Sequence, residues 1–228
     1  MRLRGTGARR PVDGLGPFDA DDLQRLAATL DRFLPHVDVS AIALAGGVAI
    51  QLHCHDAGVS SGRTRIADVD FVATSVDAVS ASVTADLLIA HFHLPQPGYS
   101  KFLLQMVDPE TRLRVDVFPD LGGAIAQASE RTIAGRRLRM LAARSILDHK
   151  AQGISGASTS RPIDEKHARD AIVLAELCGC RISLPSPNAL TRDVYRRDLT
   201  PCPRCDASRT ATFAVAPRQR IFDILGYN

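Results

Sequence analysis

Three short stretches hold residues whose types and spacing suit joint chemistry. Ala45-Gly46-Gly47 puts two glycines at the end of an apolar run. Asp68-Val69-Asp70 sets two carboxylates two positions apart. Val115-Asp116-Val117 places a third inside an apolar run. In a strand, alternate residues share a face, so Asp68 and Asp70 project side by side and Val69 and Phe71 point the other way. A glycine turn that ends a strand and opens a helix lets backbone amides and the helix N-terminus approach phosphate oxygens. Magnesium takes oxygen ligands and keeps some of its waters, so a few carboxylates suffice to hold it. Two such ions about 3.5–4 Å apart can neutralise a polyphosphate and aim an attacking hydroxyl. The set therefore suits metal-assisted phosphoryl transfer. Plainer readings stand beside it. The glycines can be a tight turn, Asp-x-Asp is common on exposed strands, and Asp116 can be one half of an ion pair with Arg112 or Arg114. A lone acid in an apolar strand is costly without a partner or a metal, and the order of the three stretches favours a shared site.

Lysine occurs only at positions 101, 150 and 166; arginine supplies the remaining positive charge. Lys150 is thus a candidate phosphate contact, against the alternative of a solvated helix lysine. Asp170 is a candidate to orient Lys150 or a nucleotide, or else the partner of Lys166 one helical turn away. Arg63 and Arg65 can steer phosphates, although exposed loop arginines are the default. His53 and His55 flank Cys54 two positions apart in a helix-like stretch and face different ways, which marks them as structural. Cys178-Gly179-Cys180 and Cys202-Pro203-Arg204-Cys205 form two close pairs. Four thiolates can close a structural zinc site, although the first pair is tighter than usual; buried or free thiols are the alternative.

These residues need elements to position them. Leu23, Leu26, Leu30 and Leu34 recur at helical spacing in residues 19–34, with Asp19 or Asp21 as a cap. Residues 42–44 read as a short buried strand running into Gly46-Gly47, and 48–55 as a helix. A loop at 56–62 leads to a strand at 67–73. Residues 79–93 are apolar and read as a helix. Two apolar runs at 102–107 and 113–118, separated by Asp-Pro-Glu-Thr, read as a hairpin, and 132–141 adds an edge strand. Past Ser145 the pattern is helical, broken by a Gly/Ser-rich loop at 153–160, then a helix over 163–178 and a short last helix within 217–228. Strands with helices followed by helices alone imply an α+β fold. The expected parts are a flexible Arg/Gly/Pro-rich tail (1–18), a core with a small mixed sheet and flanking helices (19–142), and a helical C-terminal subdomain with a Cys-rich tail (143–228).

The chain has 228 residues, 45% hydrophobic and 23% charged, with a formal charge of +3. That is ordinary for a globular protein, and it permits a nucleic-acid partner without demanding one. No apolar run approaches the roughly 20 residues needed to span a bilayer. The basic N-terminus has no apolar segment behind it, so the expectation is a cytoplasmic protein without a membrane partner.

Gly46-Gly47, Asp68-Val69-Asp70 and Val115-Asp116-Val117 resemble the nucleotidyltransferase superfamily that includes polymerase β. Its pattern is a Gly-Gly or Gly-Ser turn, then Asp-x-Asp, then an Asp in a later apolar strand. The fuller runs Ala45-Gly46-Gly47-Val48-Ala49 and Arg63-Thr64-Arg65-Ile66-Ala67-Asp68-Val69-Asp70 resemble most the AbiEii-type toxin nucleotidyltransferases. Leu147-Asp148-His149-Lys150 and Lys166-His167-Ala168-Arg169-Asp170-Ala171 match their later lysine and their Lys/Asp-rich helix. The resemblance covers roughly residues 40–180; Ile66-Ala67 stand where the family often has a hydroxyl residue. It implies two Mg²⁺ ions on Asp68, Asp70 and Asp116, with Asp116 helping to deprotonate an acceptor. It implies a nucleoside triphosphate held by Gly46, Gly47 and Lys150. Acceptors among relatives range over tRNA, proteins and small antibiotics. A tRNA-directed toxin with an antitoxin partner is the first expectation. The alternatives are a small-molecule or protein nucleotidyltransferase, or a catalytically silent nucleotide- or RNA-binding module.

Overall fold

The computed structural model describes residues 16–93, 102–157, 163–180, 190–191, 213, 216 and 218–226. Helix α1 (Ala20–Phe33) is capped by Asp19, whose carboxylate accepts from the Asp22 amide at 2.7 Å. It lays Leu26, Leu30 and Phe33 into the core, with the Phe33 and Phe71 rings 5.0 Å apart. Strand β1 (Ile42–Ala45) runs directly into helix α2 (Gly46–Asp56). Strand β2 (Asp68–Ala73) follows the loop after α2.

Residues 79–93 are not a helix. A 3-10 turn at Ala81–Ala85, capped by Ser80, leads into strand β3 (Leu88–His93). A register shift between Ile89 and His91 makes Ile89 and Phe92 the buried pair, three positions apart. A bulged strand thus imitated helical spacing. Strands β4 (Leu103–Val107) and β5 (Arg114–Pro119) form the expected hairpin. The expected single strand at 132–141 is a hairpin instead, β6 (Ser129–Ile133) with β7 (Arg136–Met140). Its two-residue turn, Ala134-Gly135, has both φ angles positive, the geometry that matches strand twist.

Among the described residues, seven strands form one mixed sheet in the order β3-β4-β5-β2-β1-β7-β6. The pairs β2–β5 and β1–β7 are parallel and the rest antiparallel. Helix α3 (Ala143–Ala157) runs on through the start of the expected 153–160 loop, because Ile154 is buried and outweighs the cost of Gly153. Residues 158–162 lie outside the described ones. Ile163–Asp164 is a short strand, β8, paired in parallel with β9 (Leu190–Thr191), so helix α4 starts at Glu165 and runs to Leu177. Ile146, Leu147, Ala171, Leu174 and Ala175 belong to the same apolar cluster as the sheet, so α3 and α4 share its core. A last helix, α5 (Arg218–Leu225), packs beside β3, with Phe213 set edge-on to Phe92. Among the described residues no helix is long and apolar enough to cross a membrane. Residues 1–15 lie outside the described ones.

Candidate active site

Parallel pairing of β2 with β5 sets Asp70 opposite Asp116 and Asp68 opposite Arg114. Residues two apart on a strand share a face, so all four side chains stand on one face of the sheet centre. Gln105 of β4 pairs with Asp116 and joins the same face, its amide donating to Asp116 Oδ2 at 3.3 Å. The three sequence-predicted aspartates are therefore neighbours in space.

Cations reach into the cluster from two sides. Arg114 Nη2 lies 3.3 Å from Asp68 Oδ2 and 3.0 Å from Asp116 Oδ2. Lys166, on the first turn of α4, places Nζ 3.0 Å from Asp68 Oδ2. One turn on, the buried Asp170 accepts from Arg63 Nη2 at 2.5 and 2.7 Å and from Lys150 Nζ at 3.0 Å. Lys150 Nζ is also 3.0 Å from His167 Nδ1. Asp170 thus ties the loop before β2 to α3, and Lys166 turns to Asp68 instead of to Asp170.

The glycine pair has a clear local reason. Gly46 sits at φ +56°, and a Cβ there would lie 1.7 Å from Asp70 Oδ2. Only glycine combines that left-handed backbone with room for the carboxylate. At Gly47 a Cβ would come within 2.8 Å of Arg63 Nη1. The Gly47 amide donates to Asp70 Oδ2 at 3.2 Å, so the helix start already serves one anion.

The charges are strained by burial. Loss of water pushes the Asp116 carboxyl up to about 7; Arg114 and the Gln105 amide oppose this, and Asp70 and Asp68 reinforce it. Burial and the neighbouring Asp68 also raise Asp70, against Lys150, Lys166 and the Gly47 amide. Asp116 Oδ1 is buried and accepts no hydrogen bond among the described residues. That oxygen is open to a cation, but among the described residues Asp68, Asp70 and Asp116 do not all bring oxygens within 4.8 Å of one another, so an ion held by all three would have to draw them together. A second acidic group, Asp19, Asp21 and Asp22, has oxygens within 4.8 Å of one another, close enough for a metal ion. There, however, Asp19 caps α1, and Asp22 holds Arg25 and the Ile66 amide.

Other sequence-predicted residues are placed differently. Arg65 is 69% exposed and lies 3.6 Å from Asp21, whereas Arg63 turns inward. His53 Nε2 donates to the Leu141 carbonyl at 2.8 Å, a structural use, and His55 is exposed. Cys178 and Cys180 are free thiols, with Arg144 Nη1 3.0 Å from Cys180 Sγ. Cys202 and Cys205 lie outside the described residues, and with them half of the expected zinc set. Sequence reasoning left Arg114, Gln105 and Lys166 out of the site. The period-two pattern of the strand puts Arg114 on the face of Asp116 and was the available signal for it. For Lys166 the rarity of lysine and the Lys/Asp-rich run were the signal, and helix docking decided its partner; Gln105 carries no local signal, because strand register brings it in.

No family model matches the chain, and no curated protein sequence matches it. Several solved structures are similar at low identity. One is an antigenic nucleotidyltransferase-like protein from Paracoccidioides brasiliensis, at 20% identity and TM-score 0.36, covering 70% of this chain and 78% of that one. Another is the antibiotic-resistance factor ANT(2'')-Ia, at 15% identity and TM-score 0.42, covering 69% and 82%. A third is JHP933 from Helicobacter pylori, at 13% identity and TM-score 0.36, covering 66% of each chain.

Proposed function

We propose that this chain is a divalent-metal-dependent nucleotidyltransferase that moves a nucleoside monophosphate from a triphosphate to an acceptor hydroxyl. The observation that carries the reading is the in-register Asp70–Asp116 pair with Asp68 beside it, one buried Asp116 oxygen lacking a hydrogen bond, next to the Gly46-Gly47 helix start. Asp68, Asp70 and Asp116 would hold the metal ions. When bound, such ions neutralise the polyphosphate and favour the deprotonated acceptor. Asp116, opposite Asp70 in the register, would take the acceptor's proton. The acceptor oxygen then bonds to the α-phosphorus as the bond from that phosphorus to the bridging oxygen breaks, and pyrophosphate leaves. Lys150 and Arg63 share the Asp170 carboxylate, which holds two cations ready for phosphate oxygens. The amides of the glycine turn lie beside them.

The sequence resemblance makes tRNA the first acceptor to try, with a toxin role and an antitoxin partner following from it. The test is to incubate the protein with each labelled nucleoside triphosphate, Mg²⁺ and total tRNA, beside an Asp70→Asn variant. Label entering RNA only with the intact protein is the expected result. Label on the protein itself or on an added antibiotic would move the acceptor to those classes. Triphosphate binding with no pyrophosphate release against any acceptor would leave a binding module. Equal transfer by Asp70→Asn would overturn the site.

A further inference from the structure

Lys166 occupies an unusual position for a helix lysine. Its ammonium lies 3.0 Å from Asp68 Oδ2 and 3.4 Å from Oδ1, and Arg114 touches the same Oδ2 at 3.3 Å. Asp68 is 4% exposed, whereas the Lys166 side chain is 25% exposed. The carboxylate is thus fixed on a central strand, and the ammonium reaches it from the first turn of α4 on a flexible stem. Arg114, anchored on β5, bridges Asp68 and Asp116, so an ion shared by those two acids must displace its guanidinium as well.

We propose that Lys166 is a displaceable counter-ion that competes with the divalent cation for Asp68. The inference rests on the metal-site reading given above. A cation approaching Asp68 meets an ammonium already bonded to both of its oxygens. Two positive charges cannot share those oxygens at contact distance without strong repulsion, so metal entry drives Lys166 off. A four-carbon stem lets the ammonium swing outward on its own helix, where a polyphosphate would give it a new partner. Lys166 thereby weakens the metal's hold on the empty-handed enzyme and supports the metal once phosphate has arrived. It acts through Asp68 as a positioning residue. The nearby Lys150–Asp170–Arg63 network is a different device, because its cations are tied to an acid on α4 and not to the strand carboxylates.

The test is direct binding of Mn²⁺, followed by electron paramagnetic resonance of the free ion, in the intact protein without nucleotide. Lys166→Met and Lys166→Gln should each bind Mn²⁺ about five- to tenfold more tightly than the natural chain. Lys166→Arg, which keeps the charge, should stay within about twofold of it. A gain in affinity is a result that damage to the fold does not produce, and thermal midpoints of the variants check the fold separately. If Met and Gln both leave Mn²⁺ affinity unchanged or weaken it, Lys166 does not compete and the inference is overturned. If the natural chain and Asp70→Asn bind Mn²⁺ equally, the metal-site reading itself fails, and the inference falls with it.

Discussion

Burial, with Asp68 and Asp70 beside it, outweighs the pull of Arg114 and pushes the Asp116 carboxyl up to about 7. An ordinary aspartate titrates near 3.9. The folded chain therefore holds its proton to higher pH than the unfolded chain does. Between those two values the native state binds more protons, so stability falls as pH rises, and the full penalty is present above about 7. Asp116→Asn removes that penalty. Thermal denaturation in a chelator should show the natural chain losing on the order of 2 kcal/mol more than the variant between pH 5 and pH 8. Equal losses would mean that Asp116 is not strained by its site. Gly46 is the second residue at which a single atom decides. Gly46→Ala adds a methyl 1.7 Å from Asp70 Oδ2 at φ +56°. We expect at least about 1–2 kcal/mol of destabilisation from the backbone alone, together with loss of transfer activity. Gly47→Ala meets only the flexible end of Arg63 and should cost less in a denaturant titration.

At the scale of elements, the β4–β5 hairpin is tied to α1 by one acid. Asp108 is fully buried and accepts from the Glu110 and Thr111 amides, the Thr29 hydroxyl and Arg32. Burial pushes its carboxyl up, but the donors of Glu110, Thr111 and Thr29 outweigh it and hold the group below its ordinary value. Its contribution is thus complete above the unfolded value and is lost as pH falls through the lower folded one. Asp108→Ala strands these donors and leaves Arg32 without this partner. It should cost about 2–4 kcal/mol in urea at pH 7, and the difference should shrink in acid. The hairpin carries Gln105 in the middle of its first strand and Asp116 on its second, so loosening it should also lower the proposed transfer activity.

At the scale of the whole molecule, α3 and α4 complete both the core and the site. Ile146 and Leu147 of α3, with Ala171 and Leu174 of α4, are buried in the cluster that contains Leu44 and Phe71. Lys150, Lys166 and Asp170 come from the same two helices. A chain ended at residue 142 would expose that apolar face and leave Arg63 and Asp68 without their helix partners. We expect no cooperative thermal transition from such a fragment. A sharp transition near that of the full chain would show that residues 19–142 fold alone.

The strand-borne acids were legible in the sequence because a period of two and an apolar surround are local properties, so Asp68, Asp70 and Asp116 could be named before any fold was known. Asp19 as a cap, the Asp-Pro-Glu-Thr turn and the Gly-Gly helix start were legible for the same reason, since each is set within a few residues. Strand β3 was misread because a bulge gave Ile89 and Phe92 helical spacing, a matter of register with β4 that only pairing reveals. The parallel register of β2 with β5 was decided by tertiary structure alone. It set Asp70 against Asp116 and brought Arg114 to Asp68, because no local signal fixes how two distant strands align. The docking of α4 likewise chose Lys166 for Asp68 and Lys150 with Arg63 for Asp170. Helix periodicity alone offered the i,i+4 pair of Lys166 with Asp170. Asp170 is buried too and already holds Arg63 and Lys150, so the ammonium of Lys166 goes to the buried Asp68 instead.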